Sequence, residues 1–118
     1  SEMCIRDSIY GDGEQSRDFT FIDNVTEANL QACRAEGAAG KVFNIACGKS
    51  VTINELLQRL NGILETRIRP TYQSPRKGDV KHSLADISKA GEILHYTPEI
   101  EFNEGLKKTV QWFRNSLS

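Results

Sequence analysis

The sequence has few of the residues that mark a secreted, metal-binding or membrane-spanning protein. Its 118 residues include only 3 cysteines and 3 prolines. Cys4, Cys33 and Cys47 form no C-x-x-C pair and have no histidine at zinc-finger spacing, so we expect neither a metal site nor a disulfide framework. No apolar run approaches the ~20 residues of a membrane span, and residues 1–8 lack the apolar stretch of a signal peptide. We therefore expect a soluble, cytoplasmic protein with no membrane partner.

Neither sign of charge is in excess. The 15 Lys+Arg oppose 16 Asp+Glu, which gives a formal net charge of −1. A nucleic-acid binder needs a cluster of basic side chains that displaces the counterions of many phosphates, so we expect no nucleic acid as a partner. The chain length matches the ~100–150 residues of a common single domain, which predicts one hydrophobic core.

The first eight residues, SEMCIRDS, do not fit the pattern that follows them. From Met3 onward they are what a transposon end used in preparing sequencing libraries encodes when it is read in frame. We therefore expect residues 1–8 to be a non-native scar and residues 9–118 to be natural sequence, with the natural protein continuing upstream.

Capping residues followed by apolar residues at helical spacing occur four times. The clearest case is Thr52 with Glu55, a T-x-x-E capping box that opens an apolar stripe from Ile53 to Leu64. An aspartate or asparagine precedes each of the other three segments. The predicted helices, each with its capping residue, are about 23–35 (Asp23), 52–64 (Thr52), 86–94 (Asp86) and the stretch after Asn103.

Short runs of β-branched and aromatic residues predict three strands, at 19–22, 42–46 and 68–72. The mostly apolar run at 42–46 is bounded by glycines, which is typical of a strand buried on both faces of a parallel sheet. Such a strand needs neighbours that this sequence does not offer, so we expect part of its sheet to be absent or supplied by missing sequence. Mixed strands and helices predict an α/β or α+β arrangement.

Two places in the sequence suit an anion. Arg17 follows the turn 11–13, Gly-Asp-Gly, and its guanidinium can bind an anion through two parallel hydrogen bonds. The alternative is a surface ion pair with Asp18 or Glu14. Segment 76–82, R-K-G-D-V-K-H, combines basic side chains with a glycine whose neighbouring amides match phosphate oxygens. The alternative there is a solvated charged loop.

Other residues that could carry chemistry do not form a recognisable site. His82 and His95 have no serine or cysteine in a nucleophile motif, so we expect both to be surface or hydrogen-bonded polar residues. The turn 11–13 lacks the G-x-G-x-x-G pattern of a dinucleotide loop. We therefore expect no NAD to bind this chain through the usual loop.

Several short motifs in order resemble the C-terminal part of the extended short-chain dehydrogenases/reductases that act on nucleotide sugars. The resemblance is strongest to the UDP-sugar 4-epimerases and covers residues 9–114. The motifs are I-Y-G-D-G (9–13), R-D-F (17–19), D-N-V (23–25), F-N-I (43–45), R-K-G-D (76–79) and S-L-A-D-I-S-K-A (83–90). One departure is His95, which stands where that family usually has a glycine.

The resemblance implies a fold and a set of site residues. The fold would be α/β, the substrate-binding lobe of a Rossmann-type enzyme. Arg17, Arg76 and Asp79 would contact the diphosphate and ribose of a UDP-sugar, and Tyr10 would lie by the uracil. NAD and the catalytic Tyr-x-x-x-Lys pair would belong to an N-terminal half that this sequence lacks, so the chain would hold no catalytic residue.

The same resemblance implies the chemistry of the parent enzyme. It would be a homodimer that interconverts C4 epimers of the sugar through a 4-keto intermediate, passing a hydride to NAD and back. A dehydratase, decarboxylase or reductase of the same superfamily is one alternative. A non-catalytic module that binds sugar nucleotides is another. Sequence upstream of residue 1 would distinguish these readings.

Overall fold

The computed structural model of the chain describes residues 8–117. Residues 1–7 of the expected scar lie outside the described residues, whereas Ser8 begins the first strand. In chain order the elements are β1 (Ser8–Tyr10), β2 (Ser16–Arg17), α1 (Ile22–Arg34), β3 (Val51–Thr52), α2 (Ile53–Leu64), β4 (Thr71–Gln73), α3 (Ser88–Ile93) and α4 (Phe102–Leu117). The expected mixture of short strands and four helices is confirmed for this part of the chain.

The described residues divide into two compact units, each built from two stretches of chain. The first unit contains residues 8–17 and 50–83, and the second contains residues 18–49 and 84–117. The hydrophobic cluster of buried residues that the structure describes lies within the second unit. The expectation of a single core stays a prediction.

The first unit holds all four strands. β1 pairs in parallel with β4, which places Tyr10 opposite Gln73. β2 pairs antiparallel with β3, so that Arg17 lies opposite Val51. The predicted strand at 68–72 is displaced: Pro70 precedes β4 and does not lie within it, because proline has no N–H to donate to a ladder.

Helix α2 of the first unit forms as the sequence predicts. The Thr52 hydroxyl accepts a hydrogen bond from the Glu55 amide, and the Glu55 carboxylate accepts one from the Thr52 amide, which completes the capping box. The apolar stripe of α2 is half-buried, and no residue of this helix is fully buried.

The second unit contains α1, α3 and α4 and has a small core, to which α1 and α3 contribute buried residues. The buried residues share one cluster: Ala28, Ala38, Ala90, Leu94 and Tyr96. Phe43 and Ile45, from a segment outside the helices and strands, pack against this cluster. Asn24 of α1 is 3% exposed. Its side chain donates to the carbonyl of Ile100 at 2.7 Å and accepts from the amide of the same residue at 3.1 Å.

Two predicted strands of the second unit do not form. Residues 42–46 form no strand and pair with no strand of the described chain, and Val42 is 82% exposed. Phe43 and Ile45 satisfy the apolar pattern by packing on helices instead. Residues 19–21 are not a strand either; the Phe19 ring lies 5.6 Å from that of Phe102. The strand prediction for 19–22 was wrong, since short apolar runs fit several structures. The unpaired segment 42–46 agrees with the expectation that its partner strands are not in this sequence.

Three helix starts also differ from the prediction. α1 begins at Ile22 with Phe21 as N-cap, so Asp23 lies in the first turn and not at the cap. α3 begins at Ser88 with Ile87 as N-cap, one residue later than predicted, and Asp86 instead accepts hydrogen bonds from the Ser88 amide and hydroxyl. α4 begins at Phe102, which places Asn103 inside the helix. None of the described helices is long and apolar enough to cross a membrane.

Candidate functional site

The turn between β1 and β2 is built on two glycines with left-handed backbone. Gly11 has φ 109° and Gly13 has φ 78°, a region that glycine enters without steric cost. A Cβ on Gly13 would collide with the side chain of Asn54. The Asn54 amide donates to the Asp12 carbonyl at 3.2 Å and to the Glu14 carboxylate at 2.9 Å. The first turn of α2 therefore fixes the shape of the loop that joins β1 to β2.

Tyr10 ends β1 and lies at the start of this turn. Its backbone is held from two sides: the Gln15 side chain donates to the Tyr10 carbonyl at 2.8 Å, and the next amide, of Gly11, donates to the Gln73 carbonyl at 2.9 Å. The Tyr10 residue is 42% exposed. A large ring is therefore presented at the surface on a fixed backbone.

Arg17 on β2 is anchored by three acceptors. Its guanidinium donates to the Asp79 carboxylate at 2.9 Å and to the carbonyls of Ser16 and Lys81 at 2.7 Å and 3.3 Å. A guanidinium carries five N–H donors, so one that is anchored in this way can also bind an anion. The alternative partners Asp18 and Glu14 are not the ones that Arg17 uses for its ion pair.

Asp18 was a candidate ion-pair partner of Arg17, but its carboxylate binds backbone amides instead. Its two carboxylate oxygens accept hydrogen bonds from the amides of Cys47 and Gly48, at 2.9 Å and 2.8 Å. These contacts lie within the second unit. Cys47 is a free thiol, and burial, followed by the charge of Asp18, raises its pKa. Neither residue has a place in an anion site.

Arg76 lies in the exposed loop after β4. The amide of Asp79 donates to the Arg76 carbonyl at 3.1 Å, which closes a tight turn. The Arg76 guanidinium carbon lies 4.2 Å from the centroid of the Tyr10 ring. Its neighbour Lys77 is exposed.

All four residues singled out by the resemblance line one open cavity of about 300 Å³: Tyr10, Arg17, Arg76 and Asp79. Residues of β1, the turn and α2 complete the lining: Ser8, Ile9, Gln15 and Ile53. Two guanidinium groups and one carboxylate give the lining a net positive charge. An anionic group with several oxygens, such as a phosphate, matches that lining.

A larger cavity of about 550 Å³ lies in the same unit and is lined by two tyrosines, Tyr10 and Tyr72. Lys81 and Asp12 also line it and form an ion pair at 2.6 Å. The hydrogen bond from Lys81 lowers the pKa of Asp12. Tyr10, Gln15 and Asp79 line both cavities.

Sequence reasoning named four of the eight residues that line the smaller cavity and missed the other four, among them Gln15 and Ile53. Gln15 lies in the same short stretch as Arg17, but a glutamine gives no chemical signal by itself. Ile53 belongs to the apolar stripe of α2, and helix packing already explained that pattern. His82 accepts or donates a hydrogen bond with the Ser16 hydroxyl, Nδ1 to Oγ 2.8 Å, as expected of a partnered polar residue.

Comparison with known proteins gives the chain a family. A family model described as GDP-mannose 4,6 dehydratase matches residues 5–109. The UDP-glucuronate 4-epimerase of Thermodesulfobacterium geofontis is 36% identical over 110 residues, which cover 92% of this chain and 33% of that protein.

Solved structures agree with this result. The UDP-glucose 4-epimerase of Thermotoga maritima, solved with UDP-glucose, superposes with a TM-score of 0.89 at 42% identity over 94% of this chain and 35% of that one. The UDP-glucuronic acid 4-epimerase of Bacillus cereus, solved with UDP-glucuronic acid and NAD, gives a TM-score of 0.87 at 29% identity over 92% of this chain and 35% of that one.

The chain thus spans about a third of the length of the curated relatives that it matches. The matched third is nearly the whole of this chain, and the fold of the described residues is the fold of that third. The chain therefore belongs to the GDP-mannose 4,6 dehydratase family, among the extended short-chain dehydrogenases/reductases.

Proposed function

We propose that this chain is the C-terminal, nucleotide-sugar-binding part of an NAD-dependent UDP-sugar 4-epimerase. Arg17 and Arg76 bind the diphosphate, Asp79 accepts from the ribose hydroxyls, and Tyr10 lies against the uracil. The parent enzyme is a cytoplasmic homodimer that interconverts C4 epimers of the sugar. The observation that carries the proposal is the single cavity lined by all four of these side chains.

The charges in the cavity support different roles for its three charged residues. Asp79 uses its Oδ1 atom for Arg17, and a carboxylate has a second oxygen that can accept from a hydroxyl group. The ion pair orients the Arg17 guanidinium without neutralising the lining, because Arg76 adds a second positive charge. A diphosphate gains from both cations, since hydrogen bonds between charged groups are about twice as strong as neutral ones.

The residues present do not fit NAD. The sequence contains neither G-x-G-x-x-G nor Tyr-x-x-x-Lys, and the turn 11–13 leads into β2 and not into a helix N-terminus that could hold a pyrophosphate. In the proposal the N-terminal half of the parent enzyme binds NAD and supplies the hydride transfer. In the proposal this chain binds the nucleotide part of the substrate.

The proposal is tested by calorimetric titration of the purified chain with UDP and with GDP, followed by an epimerase assay. We expect UDP to bind more tightly than GDP. We also expect no interconversion of UDP-glucose and UDP-galactose when NAD is supplied. A chain that binds neither nucleotide, or that epimerises the sugar unaided, contradicts the proposal.

A GDP-sugar is the second candidate ligand, because the matching family model is described by a GDP-mannose activity. The UDP-sugars bound in the two solved structures above favour UDP. Tighter binding of GDP than of UDP in the same titration would select the dehydratase alternative.

A further inference from the structure

The position of the Arg76 side chain is defined by an aromatic ring. Its guanidinium carbon lies 4.2 Å from the centroid of the Tyr10 ring, within the ~6 Å range in which a ring face attracts a cation. Tyr10 ends β1, Arg76 follows β4, and the two strands pair in parallel. The neighbouring ends of two paired strands therefore bring the ring and the cation together.

The backbone that carries the ring is held by two neighbouring segments of chain. The residue that carries the ring is fixed by the Gln15 side chain at its carbonyl, and the following amide is bonded to Gln73. Arg76 lies in an exposed loop and reaches the cavity through a long side chain. Of the two partners, the tyrosine is the one that can act as the fixed support.

We propose that Tyr10 is a positioning residue for Arg76: its ring face holds the guanidinium at the cavity that Arg76 shares with Arg17, in the place where it meets a diphosphate. This inference rests on the proposed function and adds to the contact of Tyr10 with the base. A free arginine side chain samples many rotamers, and fixing it at the moment of binding lowers affinity. Contact with the Tyr10 ring restricts the Arg76 side chain before the ligand binds, so less side-chain entropy is lost on binding.

The two arginines of the cavity are then ordered by different means. Arg17 is fixed by hydrogen bonds to a carboxylate and two carbonyls. Arg76 is fixed by a ring that offers no hydrogen-bond acceptor, so all its N–H donors stay available to the phosphate oxygens while it is stacked. Tyr10 thereby positions Arg76 without competing for those donors.

The first test needs no ligand. Protons above an aromatic ring resonate upfield, so we expect upfield Arg76 side-chain signals in the NMR spectrum of the free chain. Tyr10→Phe retains the ring and should keep the upfield signals, whereas Tyr10→Leu should lose them. Tyr72→Leu, which removes the tyrosine of the paired strand, should leave them in place. Arg76 signals at ordinary positions in the unmodified chain would overturn the proposal, whatever the chain binds.

The second test uses inorganic pyrophosphate, which has no base for Tyr10 to contact. Tyr10→Leu should weaken pyrophosphate binding by roughly two- to fivefold, the effect of one exposed cation–π contact. Tyr10→Phe should bind as tightly as the unmodified chain. In an Arg76→Ala background, Tyr10→Leu should have no further effect.

These outcomes separate the inference from the proposed function. If the chain binds UDP, and if the unmodified chain and Tyr10→Leu bind pyrophosphate with equal affinity, the inference about Tyr10 is wrong. The proposed function is then unaffected. A chain that shows the upfield signals yet binds neither UDP nor pyrophosphate overturns the proposed function, and the ligand-positioning role with it. Loss of the upfield signals when UDP binds shows that Arg76 leaves the ring, which also overturns the inference.

Discussion

Tyr96 is a buried residue whose hydroxyl group is hydrogen-bonded. It is 3% exposed, and its hydroxyl donates to the Ala46 carbonyl at 2.7 Å. Burial, then the charges of Cys47 and Asp18, raises the pKa of Tyr96 to about 12. An ionised phenol would lose this donor bond and carry a charge into the core of the second unit.

This pKa predicts a loss of stability at high pH. An unfolded tyrosine releases its proton near pH 10, whereas folded Tyr96 keeps its proton until about pH 12. Between these values the folded state binds more protons, so the free energy of unfolding should fall as pH rises, by up to ~1.4 kcal/mol per pH unit. Urea unfolding at a series of pH values from 9 to 12 measures this fall in the free energy of unfolding. Tyr96→Phe is the control, and an identical pH dependence in that variant would contradict the prediction.

His95 has a left-handed backbone conformation, and the free-energy cost of that conformation can be measured. Its φ is 61°, in the left-handed region that an L-residue enters at a cost of roughly 1–2 kcal/mol. A glycine, which the resemblance in sequence implies for this position, would adopt the same φ without that cost. The His95 residue is exposed, so its side chain contributes little packing.

Replacement of His95 by glycine should therefore stabilise the chain. The relief of backbone strain exceeds the added flexibility of the unfolded chain, and we expect a gain of about 0.5–1 kcal/mol in the free energy of unfolding. Urea unfolding at pH 7 measures the gain. His95→Ala, which keeps the Cβ, should show no such gain, and equal stabilities of the glycine and alanine variants would refute the strain explanation.

At the scale of elements, α2 connects local sequence to the candidate site. Its capping box fixes where the helix begins. The first two residues of the helix then serve the site directly, since Ile53 lines the smaller cavity and Asn54 holds the turn 11–13. A helix start shifted by one residue would misplace both side chains.

Removal of the cap tests this dependence. Thr52→Ala should lower the free energy of unfolding by about 1 kcal/mol, because the Glu55 amide loses its acceptor. Thr97→Ala, at an exposed position outside any helix, is the matched control and should change stability by less than ~0.5 kcal/mol. Urea unfolding compares the two variants. Similar losses in both would show that the capping box does not fix this helix.

The elements also show what sequence can predict. α2 followed from local signals alone, since Thr52 and Glu55 lie one turn apart and its apolar stripe continues for three turns. The strands did not, because β2 and β3 are 2 residues each and depend on pairing with distant segments: β2 pairs with β3 and also forms a bridge with His82. The segment 42–46 has the composition of a buried strand, yet it has no partner strand among the described residues, and only Phe43 and Ile45 pack against the core cluster. Contacts between distant parts of the chain decided these cases.

At the scale of the whole chain, local sequence predicted part of the candidate site, and contacts between distant residues decided the rest. Residue chemistry proposed Arg17 and the basic loop 76–82, with a solvated loop or a surface ion pair as alternatives. Only the resemblance selected Tyr10 and Asp79 as their companions. The stack of Arg76 on Tyr10 and the anchoring of Arg17 by Asp79 depend on strand pairing across more than sixty residues, which no local pattern encodes.

The central claim is that Arg17 and Arg76 act together on one diphosphate. Isothermal titration of the chain with UDP, compared among Arg17→Ala, Arg76→Ala, the double variant and the control Lys77→Ala, tests it most directly. We expect each single arginine variant to bind UDP roughly ten- to a hundredfold more weakly, the effect of losing ~1.5–3 kcal/mol of charged hydrogen bonding. The double variant should depart from additivity because both arginines contact one group, and Lys77→Ala should change affinity little. Unchanged UDP affinity in either single arginine variant that remains folded by circular dichroism would contradict the account.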